Sequence, residues 1–112
     1  MKDLVKGDIP TLILAVLSEG PQHGYAIGRR IEEQSEQKFR MREGALYPAL
    51  RVLEQDGFIV GAWEVQPSGP ARKVYQITVE GHAELAKRTR EWTDYVRMMQ
   101  RLIGGNIDVQ QA

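Results

Sequence analysis

Residues 42–58 read REGALYPALRVLEQDGF, and the rest of the chain is best understood outward from them. Leu46, Leu50 and Leu53 recur at i, i+4 and i+7 with Ala49 beside them, which is the spacing of one buried face of an α-helix. Asp56-Gly57 supplies a stop, glycine taking the left-handed backbone that other residues resist. The predicted helix therefore covers 42–56. Its opposite face carries Arg42, Tyr47, Pro48 and Arg51. A phenol and two guanidinium groups on the first half of a short helix suit a groove lined with phosphates and base edges, whereas the plainer reading is an ordinary solvated face. Pro48 lacks the amide that would bond the Gly44 carbonyl, so a local bend near the first turn is expected.

On the N-terminal side, residues up to Asp8 read as a loose lead-in. Pro10 sits where a first-turn proline belongs, and Ile9, Leu12, Ile13, Val16 and Leu17 form a 3.6-period stripe to about Ser18. Glu19-Gly20-Pro21 breaks this first helix. His23-Gly24-Tyr25 opens a second, running to roughly Ser35, with Ala26 or Ile27 and Ile31 inside and Arg29, Arg30, Glu32 and Glu33 outside. Lys38 to Met41 alternates in polarity over too few residues for a helix and reads as a short strand or extended link.

On the C-terminal side, the run from Phe58 to Val65 and the run from Arg72 to Ile77 have β character. Between them Gln66-Pro67-Ser68-Gly69-Pro70 makes a proline- and glycine-rich tip, so a hairpin is expected. Val74 and Ile77 are not two apart, which requires either a bulge or one of them at the strand end. Thr78 then reads as the cap of a helix of about 25 residues, with Glu80 in its first turn and Gly104-Gly105 as its stop. Three helices followed by a two-stranded hairpin is the winged variant of helix-turn-helix, in which the third helix enters the major groove and the hairpin reaches the adjacent backbone. Arg72 and Lys73 lie where such a wing needs cations.

The last helix carries its own signal. Leu85, Trp92 and Met99 recur every seven residues, and Tyr95 or Val96 and Leu102 or Ile103 fill the intervening positions, with Arg88 and Thr89 as the one interruption. A helix of this length spans roughly 37 Å at about 1.5 Å per residue, longer than a small winged domain covers. Its distal face needs a partner, and a second copy of the chain is the simplest supply. The competing reading folds this helix back on helix one and hides the seam internally. The expected fold is thus α+β, mainly α: a winged helix-turn-helix unit over 1–77, a dimerisation helix over 78–105 and a flexible tail over 106–112.

Composition bounds the function. The 112 residues are 42 % apolar and 7 % aromatic, with no cysteine and 15 basic against 15 acidic residues. That suits one small domain and gives no support to disulfides, a membrane span or a secretory signal, so a cytoplasmic protein without a membrane partner is the default. A balanced total excludes a diffuse basic coat. The stretch 72–103 nevertheless holds seven basic and four acidic residues, so any electrostatic footprint is local. His23 and His82 have no cysteine or spaced carboxylates beside them, and glycine-rich phosphate loops are absent. No catalytic residue, metal site or cofactor is expected; His23 reads as a turn residue opening helix two and His82 as a first-turn residue of helix four.

Together HGYAI at 23–27, EGALYPALRVLEQDGFI at 43–59, RKVYQIT at 72–78 and the following Glu80-Gly81 resemble the PadR family of bacterial winged-helix transcription regulators. The resemblance covers about residues 9–103, and the short chain with one C-terminal helix looks like the compact subfamily that includes multidrug-responsive repressors. It implies a homodimeric repressor on palindromic double-stranded DNA, released by a small molecule or stress signal. It matches Tyr47 to the recognition helix, Arg72 and Lys73 to the basic wing strand, and Tyr25 to a phosphate-contacting tyrosine at the start of helix two. Trp92 aligns with a tryptophan that stacks on flat aromatic drugs at the dimer interface of some short members. Two departures stand out. Arg42 replaces the usual Ser, Thr or Asn cap, and the tip 66–71 is poor in arginine. The resulting expectation is a DNA surface of Tyr25, Arg42, Tyr47, Arg51, Arg72 and Lys73, reached through helix 42–56 and wing 64–73. The expected dimer seam is Leu85, Trp92, Tyr95, Val96, Met99, Leu102 and Ile103, with Trp92 a candidate platform for a small aromatic effector. The alternative is a winged helix that binds a protein partner, since a fold does not fix a function.

Overall fold

The computed structural model describes residues 8–104. The expected lead-in, Asp8 apart, and the expected tail over 106–112 lie outside them. Helix α1 (Ile9–Leu17) starts with Pro10 in its first turn, where the missing amide would have had no intrahelical partner. Ile9, Ile13, Leu14, Val16 and Leu17 are all buried. The stripe predicted from spacing omitted Leu14 and included Leu12, which is only partly buried. The reason is position: α1 is touched by α2, α3, α4 and strand β3, so more of its circumference is covered than the face of a surface helix.

A two-residue strand, β1 (Gln22–His23), precedes α2 (Gly24–Gln34). His23 is therefore both a strand residue and the extended cap of α2, more than the turn residue expected. Ile27 and Ile31 face the core, as spacing implied, and Ala26 is less deeply placed. After α2 the backbone turns left-handed at Glu36 and Gln37. Residues 38–41 form a link and not a strand, bent at Lys38 and Phe39. The Met41 amide is tied down by donating to Glu32 Oε2 at 2.8 Å, so Glu32 is a loop anchor and not simply an outer-face charge.

Helix α3 (Glu43–Gln55) buries Leu46, Leu50 and Leu53. Arg42 and Asp56, the ends of the predicted span, are its caps, and Gly57 takes φ 81° just beyond. Strands β2 (Ile59–Glu64) and β3 (Arg72–Ile77) form the hairpin, paired from Ile59↔Ile77 to Glu64↔Arg72 without a bulge. Ile77 is thus the strand-end residue. The antiparallel sheet runs β1-β3-β2, with His23 opposite Val74. Alternation along β3 places Tyr75, 7 % exposed, in the core on the same face as Ile77 and Lys73. Val74 lies on the other face.

Helix α4 (Val79–Ile103) is anchored at its start. Thr78 Oγ1 accepts from the Gly81 amide at 2.9 Å and donates to the Gly57 carbonyl at 2.7 Å, joining the end of α3 to the start of α4. Gly81 is buried against the Phe58 carbonyl, with no room for a Cβ. Among the described residues, four helices and a small three-stranded antiparallel sheet make the winged-helix fold expected from the sequence.

The distal half of α4 behaves differently. Trp92 is 57 % exposed, Leu102 74 % and Ile103 59 %. The seam is not folded back on α1 and hidden within the described chain; only Leu85 reaches the domain core.

Candidate nucleic-acid interface

With its leucines inward, α3 turns Gly44, Tyr47, Pro48 and Arg51 to the outside, and all four are exposed. Arg42 is exposed in extended backbone at the helix cap and makes no side-chain capping bond, so its guanidinium is available at the helix start. Gly44 has nothing within 4 Å of where a Cβ would stand, which leaves the backbone of this first turn open to close approach.

Tyr47 is held from below by α2. A Cβ on Gly24 would stand 2.9 Å from Tyr47 Cε1 and 3.2 Å from its hydroxyl oxygen, so the ring rests on the glycine that opens α2. Tyr25 follows one residue later, exposed, with the Arg29 guanidinium 5.7 Å from its ring centroid. Arg29 Nη1 donates to the Tyr25 hydroxyl oxygen at 3.2 Å. That oxygen therefore accepts from within the protein and keeps its own O–H to donate outward. The same contact holds the Arg29 guanidinium even more firmly in its charged form. Tyr25, Arg29, Glu43 and Tyr47 share the walls of a cleft of about 230 Å³ between α2 and α3. Sequence reasoning placed Arg29 only on the outer side of its helix; the i, i+4 spacing of Tyr25 and Arg29 was the available signal.

The two predicted wing cations differ. Arg72 lies 3.8 Å from Glu64, with side chains 45 % and 57 % exposed, a loose surface pair that contributes little and is readily exchanged for another anion. Lys73 Nζ donates to Glu54 Oε1 at 3.0 Å and stands 5.4 Å from the Tyr75 ring centroid. That bond to Glu54 is the main reason its ammonium is held above its ordinary pKa. Trp63 and Val65 on the hairpin are strongly exposed and were not among the expected site residues. On β1, partial burial and the Arg72 guanidinium push the His23 imidazole below its ordinary pKa, with Glu64 opposing.

The candidate seam divides. Leu85 packs on the domain core, while Trp92, Tyr95, Leu102 and Ile103 are exposed and Val96 and Met99 half-buried. Trp92 and Tyr95 stack with ring centroids 6.0 Å apart and planes 27° apart, a flat aromatic surface one helical turn long. Among the described residues no helix is long and apolar enough to cross a membrane, and no group of three or more His, Cys, Asp or Glu could hold a metal ion.

Residues 13–87 match the Transcriptional regulator PadR-like family. The transcriptional regulator Rv3488 of Mycobacterium tuberculosis is 30 % identical over 105 residues, covering 94 % of this chain and 92 % of its own. A transcriptional regulator structure from Clostridium thermocellum superposes with a TM-score of 0.83 at 28 % identity, over 90 % of this chain and 95 % of that one. The structure of Bacillus subtilis PadR in complex with operator DNA gives a TM-score of 0.65 at 29 % identity, over 71 % of this chain but only 45 % of that longer one. The family is one of transcriptional regulators and not of enzymes, and with two thirds of its residues inside the family match, this chain belongs to the PadR-like transcriptional regulators.

Proposed function

We propose that this PadR-like regulator is a homodimeric, ligand-responsive repressor that reads a palindromic operator. In this reading α3 enters the major groove with Tyr47 and Arg51, Arg42 meets the backbone at the start of the helix, and Tyr25 with Arg29 donates to a phosphate from α2. The wing reaches the flanking backbone through Arg72, while Lys73 serves it through Glu54. Residues 1–77 act as the DNA-binding unit and 78–105 as the dimerisation helix.

The observation that carries this reading is one surface. Tyr25, Arg29 and Tyr47 line one cleft between α2 and α3, and Arg42 at the cap of α3 and Arg51 one turn beyond Tyr47 are exposed, in a fold whose relative, Bacillus subtilis PadR, is solved with operator DNA. The apolar half of α4, exposed among the described residues, supports the dimer, a second copy bringing an identical stripe. The stacked Trp92 and Tyr95 support a flat aromatic effector held between two such helices.

The test is the pair Tyr47→Ala and Arg51→Ala in one protein, measured against a duplex enriched from random DNA. Loss of binding with the dimer intact by sedimentation supports groove reading. Retained binding removes α3 from the interface, and an unsubstituted protein that is folded and dimeric but enriches no duplex favours the protein-partner alternative.

A further inference from the structure

Glu54 lies in the last turn of α3 and reaches into the hairpin with both carboxylate oxygens. Oε1 accepts from Lys73 Nζ at 3.0 Å on β3, and Oε2 accepts from the Gly61 amide at 3.2 Å on β2. One side chain of the helix thus holds both strands of the wing. The Glu54 and Lys73 side chains are 31 % and 29 % exposed, more shielded than the Arg72–Glu64 pair farther out, and a charge-assisted bond in such a setting is stronger than a surface pair. The register explains how the parts meet: Gly61 is opposite Tyr75, and Lys73 is opposite Trp63 two rungs on, on the same face of the sheet. Because β2 is an edge strand, amides on its open side need an acceptor from outside the sheet.

Gly61 makes the arrangement possible. A Cβ there would stand 2.5 Å from Lys73 Cε, 3.2 Å from Glu54 Oε2 and 3.2 Å from Tyr75 Cε1. The lysine stem occupies the space that any larger residue would fill.

We infer that Glu54, through Lys73 and Gly61, is a positioning residue that fixes the wing against the recognition helix, so that Lys73 acts on DNA binding through its bond to Glu54 and not by touching a phosphate. This rests on the reading that α3 and the wing meet DNA together. Two consequences set it apart from a basic wing strand whose cations both contact the backbone. The wing should contribute about one phosphate to the salt dependence, through Arg72, and not two. Removing the negative charge of Glu54 should weaken DNA binding, although simple electrostatics would strengthen it.

The experiment measures binding of the full chain to an enriched duplex at several salt concentrations, together with amide exchange over residues 59–64 in the free protein and a thermal melt to verify folding. Gly61→Ala changes no charge and Glu54→Gln almost no volume, so the two probe the tie independently; Lys73→Met keeps most of the stem. Each is expected to weaken binding by roughly threefold to tenfold, as for partial loss of a bond to a charged group, with the slope of log affinity against log salt unchanged and exchange in β2 faster. Glu54→Gln with Lys73→Met should cost no more than the worse single change, because they break one connection. Tighter binding with a steeper slope in Glu54→Gln overturns the proposal, since Lys73 is then freed to reach a phosphate. A slope shallower by about one in Lys73→Met overturns it too, as does Gly61→Ala with unchanged affinity and exchange. Arg72→Ala tells the two readings apart. If its affinity and slope equal the parent's while Glu54→Gln still loosens β2, the wing does not meet DNA, and the positioning role falls with that premise.

Discussion

Helix α3 and the distal half of α4 carry the same kind of sequence signal and end in opposite states. Both show large apolar residues at helical spacing. On α3, Leu46, Leu50 and Leu53 are at most 3 % exposed; on α4, Trp92, Leu102 and Ile103 are more than half exposed. The first stripe is covered by the chain's own α1, α2 and β2, whereas the second is left exposed among the described residues. Periodicity therefore states that a face is apolar and says nothing of what covers it. On energetic grounds a stripe left in water calls for a partner: each large side chain it exposes forgoes about 1.5–3 kcal/mol of burial.

The sharpest way to break the comparison is to damage each stripe and ask whether the cost depends on protein concentration. Leu50→Ala should cost about 2–5 kcal/mol of unfolding free energy by denaturant titration, cavity included, at any protein concentration. Trp92→Ala should leave the domain folded and raise the dimer dissociation constant more than about tenfold, as for a central aromatic anchor, read by sedimentation equilibrium. Equal loss of monomer stability in both variants would mean that the two faces are not different in kind.

A smaller effect isolates the junction between the two helices. Thr78 caps α4 and bonds the end of α3 at once, so Thr78→Ala should cost about 1 kcal/mol in a thermal or denaturant melt, with Thr78→Ser recovering most of it. Full stability in the alanine variant would show that the Gly81 packing alone holds α4 in place.

The smallest expected effect is a pH dependence at the sheet edge. His23 is held below its ordinary value of 6.5, chiefly by burial. Its folded form favours the neutral ring, so its contribution is complete above about pH 6.5 and is lost as pH falls through the lower folded value, where the unfolded chain has already taken up the proton. Melts between pH 5 and 7 should show a decline that His23→Gln removes. Lys73 and Tyr75 are shifted upward, so their contributions persist through neutral pH and fade only under alkaline conditions, separating them from His23.

What was legible in the sequence follows from the range of each interaction. The ends of α3 and α4 could be read because Asp56-Gly57, Thr78 and Gly104 act within a turn of where they stand. The hairpin could be read because its tip is local. Strand β1 could not: two residues make a strand only because β3, some fifty positions later, offers them a ladder. Tyr75 was not read as core because Val74 and Ile77, not two apart, leave the phase of the strand open until the unbulged register with β2 settles it. Lys73 was legible as a cation on the wing, but its engagement by Glu54, 19 positions earlier, becomes visible only once hairpin and helix are docked. The resemblance to PadR regulators was visible in motifs, and the family match over residues 13–87 agrees with it.

The most direct test of the central claim, that α3 presents a groove-reading surface and α4 pairs two copies of it, is selection from a random double-stranded DNA library by the purified protein. An enriched inverted repeat with half-site centres about 34–36 Å apart is the predicted result, since only a two-fold dimer carrying two recognition helices produces it. An enriched single half-site without symmetry would contradict the pairing through α4, and no enrichment from a folded, dimeric protein would contradict the assignment of α3 to DNA.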